Sequence, residues 1–258
     1  NTGGAATFDM NNHTLTKVGG AEFALVNAAI DDEGDVNVNQ GIFRLEGTTD
    51  FDGLTRTVSV VNGATLDFWG SVATHDVNVT LAGGANFTTN DGAGAGPTVT
   101  GTITLNGVGN FNIEKNTTLT GQITGAGGIN QVTGTGTLTL ANSTNNYSGT
   151  TNVSAGTLQV TANGALGGTG AGTVVFSGGT LEFNGAFNYT NAESFAIYGN
   201  GVGGTGALRS TGGSRVVSQP IFVGASSTIT SATAGNTLTL SGPILVDPFA
   251  NLTFDGAG

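Results

Sequence analysis

The 258-residue sequence predicts an all-β fold, a parallel β-helix of about ten coils with roughly 24 residues in each. Three observations predict it: a short motif that recurs along the chain, strict apolar–polar alternation within each copy, and a composition with 46 glycines but only 9% charged residues. Alternation with period 2 is typical of a strand with one buried face. Gly, Asn and Asp between the strands suit tight turns with positive φ.

The recurring motif is Gly or Asn, one or two small residues, then an alternating apolar pair, as in GTGTLTLAN at 134–142. Eight spacings between successive copies cover 195 residues, a mean of roughly 24. Shorter apolar runs lie between the copies, so each unit holds two or three strands. The first apolar residues of the copies are Phe43, Leu66, Phe87, Phe111, Leu138, Leu158, Leu181, Leu208 and Leu238.

Short strands, turn-rich corners and a fixed long period favour a solenoid with one repeat per coil. One coil cannot close a core alone, but stacked coils form ladders of inward Leu, Val, Ile and Phe. An antiparallel sandwich or barrel is the structural alternative, with strands every 8–12 residues. The fixed long period favours the solenoid over that alternative.

A longer repeat lies over the short one, since Phe43 and Leu158, and also Leu66 and Leu181, are 115 residues apart. We therefore expect a single β-helix segment over 1–258, with five-coil blocks at about 15–128 and 129–251 and a third block starting at 252. Residues 35–70 and 150–185 should occupy equivalent coils. Leu66, Phe68, Leu181 and Phe183 should then point inward.

Composition excludes several classes. Six basic residues, against 17 acidic ones, cannot neutralise a run of phosphates, so nucleic acid is not an expected partner. The most apolar window, 21–30, is short and is broken by Glu22 and Asn27, so it does not suit a membrane-spanning helix. There is no cysteine, which removes disulfides and thiolate metal sites and fits a bacterial protein exported unfolded.

Residues 132–166, VTGTGTLTLANSTNNYSGTTNVSAGTLQVTANGAL, match a specific order of residues and not only a composition. They resemble the autotransporter-associated β-strand repeat, a Gly-x-Gly-Thr-Leu-x-Leu strand, then Asn-x-Tyr-x-Gly-x-Thr, then Asn-Val-x-x-Gly-Thr-Leu. A more diverged copy spans 15–47 and departs from the pattern at Asp31–Gly34. The matching positions are Gly134, Gly136, Leu138, Leu140, Asn145, Tyr147, Gly149, Thr151, Val153, Gly156, Thr157 and Leu158.

This resemblance implies the passenger region of a bacterial type V secreted protein or a large surface protein. It implies a right-handed parallel β-helix at the bacterial surface or secreted, often an adhesin stalk. We therefore expect a structural rod without catalysis, cofactor or metal. Its expected partners are further repeats or another copy end to end, and a host surface or glycan. The alternative is a β-helix that binds or cleaves carbohydrate.

Acidic residues are the main candidates for chemistry. Asp31, Asp32, Glu33 and Asp35 form one cluster, and Asp50 and Asp52 follow about one coil later. The two clusters would stack on one corner, where carboxylate oxygens suit calcium. The second half lacks them, so the first interpretation is solvated turn acids.

Few other residues suggest a site. His13 and His75 are far apart in sequence, and we expect both at the surface. Phe68 follows the inward register, so Trp69 should point outward and, with Phe68 and Tyr198, is the aromatic candidate for stacking on a sugar.

Overall fold

The structure is a computed structural model, and it describes residues 6–31, 34–51, 56–71, 73–92 and 94–257. These residues form an all-β solenoid of about 11 turns with about 22 residues per turn. The sequence-based prediction of a parallel β-helix is confirmed, with slightly more and shorter turns than expected. At one strand spacing per turn, the rod is about 50 Å long.

Each turn contributes up to three short strands, which pair in parallel with strands of the next turn along three faces. Face 1 starts as a three-stranded sheet and continues as a nine-stranded one. Its strands are β1 (Ala6–Asp9), β4 (Ala28–Asp31), β7 (Asp50–Phe51), β10 (Thr74–His75), β13 (Ala95–Val99), β16 (Asn116–Leu119), β19 (Thr137–Leu140), β21 (Gly156–Val160), β23 (Gly179–Asn184), β25 (Leu208–Thr211), β28 (Ser227–Ser231) and β31 (Leu252–Gly256).

Face 2 is interrupted. A six-stranded sheet covers the first six turns and a two-stranded sheet covers the last two. Between them, in the described stretch 94–257, turns and one isolated bridge from Tyr189 to Val217 replace the strands. The strands of face 2 are β2 (Leu15–Lys17), β5 (Val36–Val38), β8 (Thr57–Val60), β11 (Asn78–Leu81), β14 (Ile103–Leu105), β17 (Ile123–Thr124), β26 (Arg215–Val217) and β29 (Leu238–Leu240).

Face 3 is an unbroken sheet of eleven strands that runs the length of the rod. A 3-10 turn at Val202–Gly204 interrupts one corner of the solenoid. The strands of face 3 are β3 (Glu22–Val26), β6 (Ile42–Glu46), β9 (Thr65–Trp69), β12 (Asn86–Asn90), β15 (Gly109–Ile113), β18 (Ile129–Thr133), β20 (Thr151–Val153), β22 (Thr173–Val175), β24 (Phe195–Ile197), β27 (Ile221–Val223) and β30 (Ile244–Val246).

Alternate residues of each strand enter a single apolar core, as the period of 2 requires. On face 2 the register joins Leu15, Val36, Val58, Val79, Ile103 and Ile123 in one inward row. On face 1 another inward row joins Leu138, Leu158, Leu181, Leu208, Ile229 and Phe254. Each row is a ladder in which every apolar side chain covers the one below it.

The expectation that residues 35–70 and 150–185 occupy equivalent coils is wrong. Leu66 lies in β9 on face 3, whereas Leu181 lies in β23 on face 1. The inward orientation is confirmed, because Leu66, Phe68, Leu181 and Phe183 are all 0% exposed. The 115-residue offset therefore matches strands of one sequence type on two different faces. The division into blocks stays a prediction.

Gln131 marks the place where the repeat in the sequence passes from strands of face 3 to strands of face 1. On face 3 the residue that pairs with Phe111 is Gln131, a fully buried polar side chain, and Val153 follows it. The apolar row is interrupted there, so the next apolar pair in the sequence belongs to face 1. Eight register steps on face 3, from Phe43 to Val223, cover 180 residues, or 22.5 per turn.

Candidate functional site: the Asn145–Tyr147 corner

The Asn-x-Tyr segment of the repeat lies where face 2 loses its strands. Asn145 is 6% exposed and joins three successive turns. Its Oδ1 accepts a hydrogen bond from the backbone N–H of Ile123 at 2.7 Å, and its Nδ2 donates to the carbonyl of Ala165 at 2.7 Å. One amide side chain thus replaces the strand-to-strand bonds that a β-strand would make at this corner.

Tyr147 fills the core beside Asn145. Its ring is 0% exposed, and its hydroxyl lies 2.7 Å from Thr151 Oγ1, an equally buried partner. Gly167 makes room for the ring, since a Cβ at that position would come within 2.8 Å of two ring carbons, and its φ is +85°. Burial raises the pKa of Tyr147 well above its ordinary value, so the hydroxyl stays neutral.

A carboxyl group lies inside the rod two turns further on. Glu193 is 3% exposed; Thr173 Oγ1 donates to its Oε1 at 2.6 Å and Tyr189 Oη donates to its Oε2 at 3.1 Å. Burial raises the pKa of Glu193 to about 7, and the two hydrogen bonds oppose this only in part. Tyr189 is buried in the core as Tyr147 is, and each tyrosine follows an asparagine in the sequence. The Asn-Tyr pair of the repeat therefore recurs at 188–189 in a diverged form.

The expectation of a surface position is wrong for His75, although His13 is exposed as expected. His75 is 0% exposed, because its side chain follows the inward register of β10. Its Nε2 lies 2.9 Å from Ser71 Oγ, and its Nδ1 lies 3.1 Å from Asp50 Oδ1. These three residue types in this order have the composition of a nucleophilic triad.

Access decides what this cluster can do. Ser71 Oγ also accepts a hydrogen bond from the Ala73 N–H at 3.3 Å, and Ser71 is 0% exposed. The Phe68 ring lies 4.7 Å from the His75 ring and shields it. The His75 Nδ1 and Asp50 Oδ1 atoms are close but poorly aligned for a hydrogen bond. The cluster lies where the two sheets of face 1 meet, and its serine is closed to substrate.

The outer surface of face 3 carries a charged cluster near the start of the rod. Arg44 lies between Glu22, at 3.0 Å, and Asp67, at 2.7 Å. Asp67 also accepts hydrogen bonds from Thr88 and from Asn90, the latter at 2.8 Å. All the partners stand about one or two turns apart in sequence, so register brings them together.

Trp69 points outward, as predicted, and its neighbour Phe68 is core. The guanidinium of Arg44 lies 4.2 Å from the centre of the Trp69 ring. The cation therefore occupies a face of the ring that a sugar would need. Tyr198 directly follows β24 of the same sheet, six turns away, and packs against Phe176 and Phe222, so these aromatics form two separate groups.

The acidic clusters proposed for calcium are partly described. Asp32, Glu33 and Asp52 lie outside the described residues. Ala29 pairs with Asp50, so Asp31 and Asp50 lie on neighbouring strands of face 1. Asp35 Oδ1 accepts a hydrogen bond from the Thr57 N–H at 3.0 Å, while Asp50 faces His75. Within the described ranges, no group of three or more His, Asp or Glu side chains is arranged to hold a metal ion.

Two of these clusters were missed from the sequence. The Ser71–His75–Asp50 contact joins adjacent turns, and Glu193 reads as an ordinary loop acid. Only Glu193 could have been found from the sequence. The Asn-Tyr pair at 146–147 recurs at 188–189, and the residue four positions after each tyrosine, Thr151 or Glu193, is hydrogen-bonded to that tyrosine's hydroxyl group.

The part of the chain that contains the Asn145–Tyr147 corner also matches known proteins. Residues 132–160, which contain Asn145, Tyr147 and Thr151, match the Passenger-associated-transport-repeat family. Over 111 residues, 42% of this chain, the sequence is 39% identical to the Adhesin BmaC autotransporter of Brucella suis biovar 1 (strain 1330).

The aligned region is only 2% of that adhesin's own length. No solved structure matches the chain. No helix among the described residues is long and apolar enough to cross a membrane. The resemblance to autotransporter passenger repeats is confirmed, and residues 132–160 carry it at the corner where Asn145 and Tyr147 replace a strand.

Proposed function

We propose that this chain is a structural segment of a surface-exposed adhesin stalk, the rod-like part of an autotransporter passenger, with no catalysis of its own. The observation that carries the proposal is the continuous core of eleven paired turns, in which polar clusters such as Ser71–His75 and Thr173–Glu193 are sealed inside. Such an interior supplies length and rigidity. Similarity to an adhesin autotransporter supports the placement at the bacterial surface or outside the cell.

Further repeats or another copy are the proposed partners at the ends of the rod. Phe23 is 38% exposed at the first strand of face 3, and Phe254 is 63% exposed on the last strand of face 1. Both belong to inward rows, so one more turn would cover each of them as Phe43 and Ile229 are covered within the rod. Among the described strands, β3 and β31 are each paired on one side only, which favours the same continuation.

The carbohydrate-cleaving alternative is tested by the acidic turn. A variant with Asp31, Asp32, Glu33 and Asp35 all changed to Asn should keep the circular dichroism spectrum and thermal transition of the parent. We expect neither protein to release reducing ends from neutral or acidic polysaccharides. Cleavage by the parent that the variant loses would refute the structural proposal.

A further inference from the structure

The outer surface of face 3 changes character along the rod. One outward row runs through Asn86, Asn110, Asn130 and Asn152 and continues as Val174, Ala196, Phe222 and Leu245. In the first part the amides bond one another: Asn110 Nδ2 donates to Asn86 Oδ1 at 3.3 Å, and Asn130 Nδ2 donates to Asn110 Oδ1 at 3.2 Å. In the second part of the row, every outward side chain is apolar.

We call Val174, Phe176, Ala196, Tyr198, Phe222 and Leu245 the apolar stripe. Phe176 is 42%, Phe222 36% and Leu245 67% exposed. Phe176 stacks on Tyr198, with ring centres 6.1 Å apart, and Tyr198 meets Phe222 edge-on at 6.4 Å. Gly224 allows this packing, since a Cβ there would lie 2.2 Å from a Tyr198 ring carbon.

A groove runs beside the apolar stripe across four turns. It has a volume of about 400 Å³ and is lined by corner residues, among them Gly172, Pro220 and Pro243, with Ala196 between the larger Val174 and Phe222. The two prolines lack a backbone N–H, so this wall offers few donors to a polar ligand. The apolar stripe and the groove together present a ridge and a hollow side by side.

Charge indicates what fits there. Residues 1–125 hold 13 acidic and 4 basic residues, whereas 126–258 hold 4 and 2. Two copies placed side by side in the same direction would align their acidic halves and repel each other. Two copies could instead run in opposite directions and overlap only at the turns that contain β22, β24, β27 and β30. Their acidic halves would then lie at opposite ends of the pair. A two-fold axis also lets each ridge enter the other copy's hollow.

We propose that the apolar stripe docks against the same stripe of a second copy of this chain, antiparallel and side by side. This contact is separate from the end-to-end contacts proposed above. Four strands span only about 15 Å along the rod, so the contact buries less area than a stable dimer interface needs. The association is therefore weak, with a dissociation constant of about 1 mM. Copies held together on one surface would gain from avidity.

Sedimentation equilibrium and small-angle scattering up to about 1 mM protein test the proposal. The mass should rise from 25.4 kDa toward twice that value, with a maximum dimension well below that of two rods end to end. Phe222→Glu and Leu245→Glu should abolish the rise. Asn110→Glu, on the polar part of the same row, and Phe254→Glu, at the rod end, should leave it unchanged.

A cysteine variant tests the geometry without depending on affinity, because the chain has no cysteine. Ala196→Cys lies near the proposed two-fold axis and should form disulfide-linked dimers on oxidation, while Asn110→Cys should not. A parent that stays at 25.4 kDa with no Ala196→Cys dimer overturns the proposal. Association lost through Phe254→Glu but retained in Phe222→Glu also overturns it and favours end-to-end stacking.

Discussion

Thr173 Oγ1 donates a hydrogen bond of 2.6 Å to Glu193 Oε1 in the interior of the rod, where the carboxyl group is 3% exposed. The second carboxyl oxygen accepts from Tyr189, so the described hydrogen-bond partners of this acid are uncharged hydroxyl groups. Burial disfavours the charged carboxylate, and the two hydrogen bonds, which favour it, offset this only in part, so the pKa of Glu193 is raised in the folded state.

Burial of Glu193 predicts a pH dependence of stability. The pKa of Glu193 is about 7 when folded and near 4.5 when unfolded, so the folded state binds the proton more tightly. The stabilisation is fully present below pH 4.5 and is lost as the pH rises through 7, by roughly 3 kcal/mol in total. Urea unfolding from pH 4.5 to 8 measures it. Glu193→Gln should remove this dependence and the exposed control Glu114→Gln should retain it; parallel curves for the parent and Glu193→Gln would contradict the prediction.

Asn145 should be unusually costly to replace. Asn145→Ala leaves the Ile123 N–H and the Ala165 carbonyl without their partner inside the rod. Unpaired buried groups of this kind cost about 1–3 kcal/mol each, so the free energy of unfolding should fall by several kcal/mol. Asn146→Ala, at an exposed position of the same repeat, is the matched control and should cost less than about 1 kcal/mol. Equal losses would show that the bridge is dispensable.

The Tyr147 hydroxyl makes a separable contribution. Tyr147→Phe keeps the ring but leaves Thr151 Oγ1 unpaired, and we expect a loss of about 1–2 kcal/mol in the free energy of unfolding. Tyr147→Ala also empties the core beside Gly167 and should cost about 3–5 kcal/mol. Tyr198→Phe, on the outer surface, serves as control. Thermal and denaturant unfolding distinguish the three, and a Tyr147→Phe protein as stable as the parent would contradict the role of the hydroxyl.

Removal of one turn in register should preserve the rod. Deletion of residues 87–110 joins Asn86 to Phe111, which then takes the place of Phe87 above Leu66. The deletion protein should remain folded and shorten by about 4.8 Å, a change that small-angle scattering detects. Deletion of 87–109 leaves one extra residue, which either turns the strand inside out or forces a bulge, so it should be clearly less stable. Equal stability of the two proteins would refute the register.

Ser71 should be inert in the folded protein. Both Ser71 and His75 are 0% exposed, so a fluorophosphonate probe cannot reach the hydroxyl group. We expect no labelling by mass spectrometry under native conditions, and a lower free energy of unfolding in Ser71→Ala because His75 loses its 2.9 Å partner. Native labelling that disappears in Ser71→Ala would establish a nucleophile and favour the enzymatic alternative.

The repeat motif and the alternation were sufficient to predict which residues form strands and which side chains enter the core, as Leu66, Phe68, Leu181 and Phe183 illustrate. Period 2 is a local property of the backbone, so a single sequence contains it. The family resemblance at 132–166 could likewise be recognised from the sequence, because its motif residues lie close together along the chain. The outward position of Trp69 followed from the same alternation.

Tertiary structure decided which face each strand joins and which distant residues meet. Leu66 and Leu181 have the same local pattern, yet their strands lie on different faces, because face assignment depends on corner lengths and on breaks such as Gln131. The contacts of Asp50 with His75 and of Arg44 with Asp67 join residues 25 and 23 positions apart. Such pairs arise only when one turn is stacked on the next, since the number of residues in each corner sets which side chains come into register.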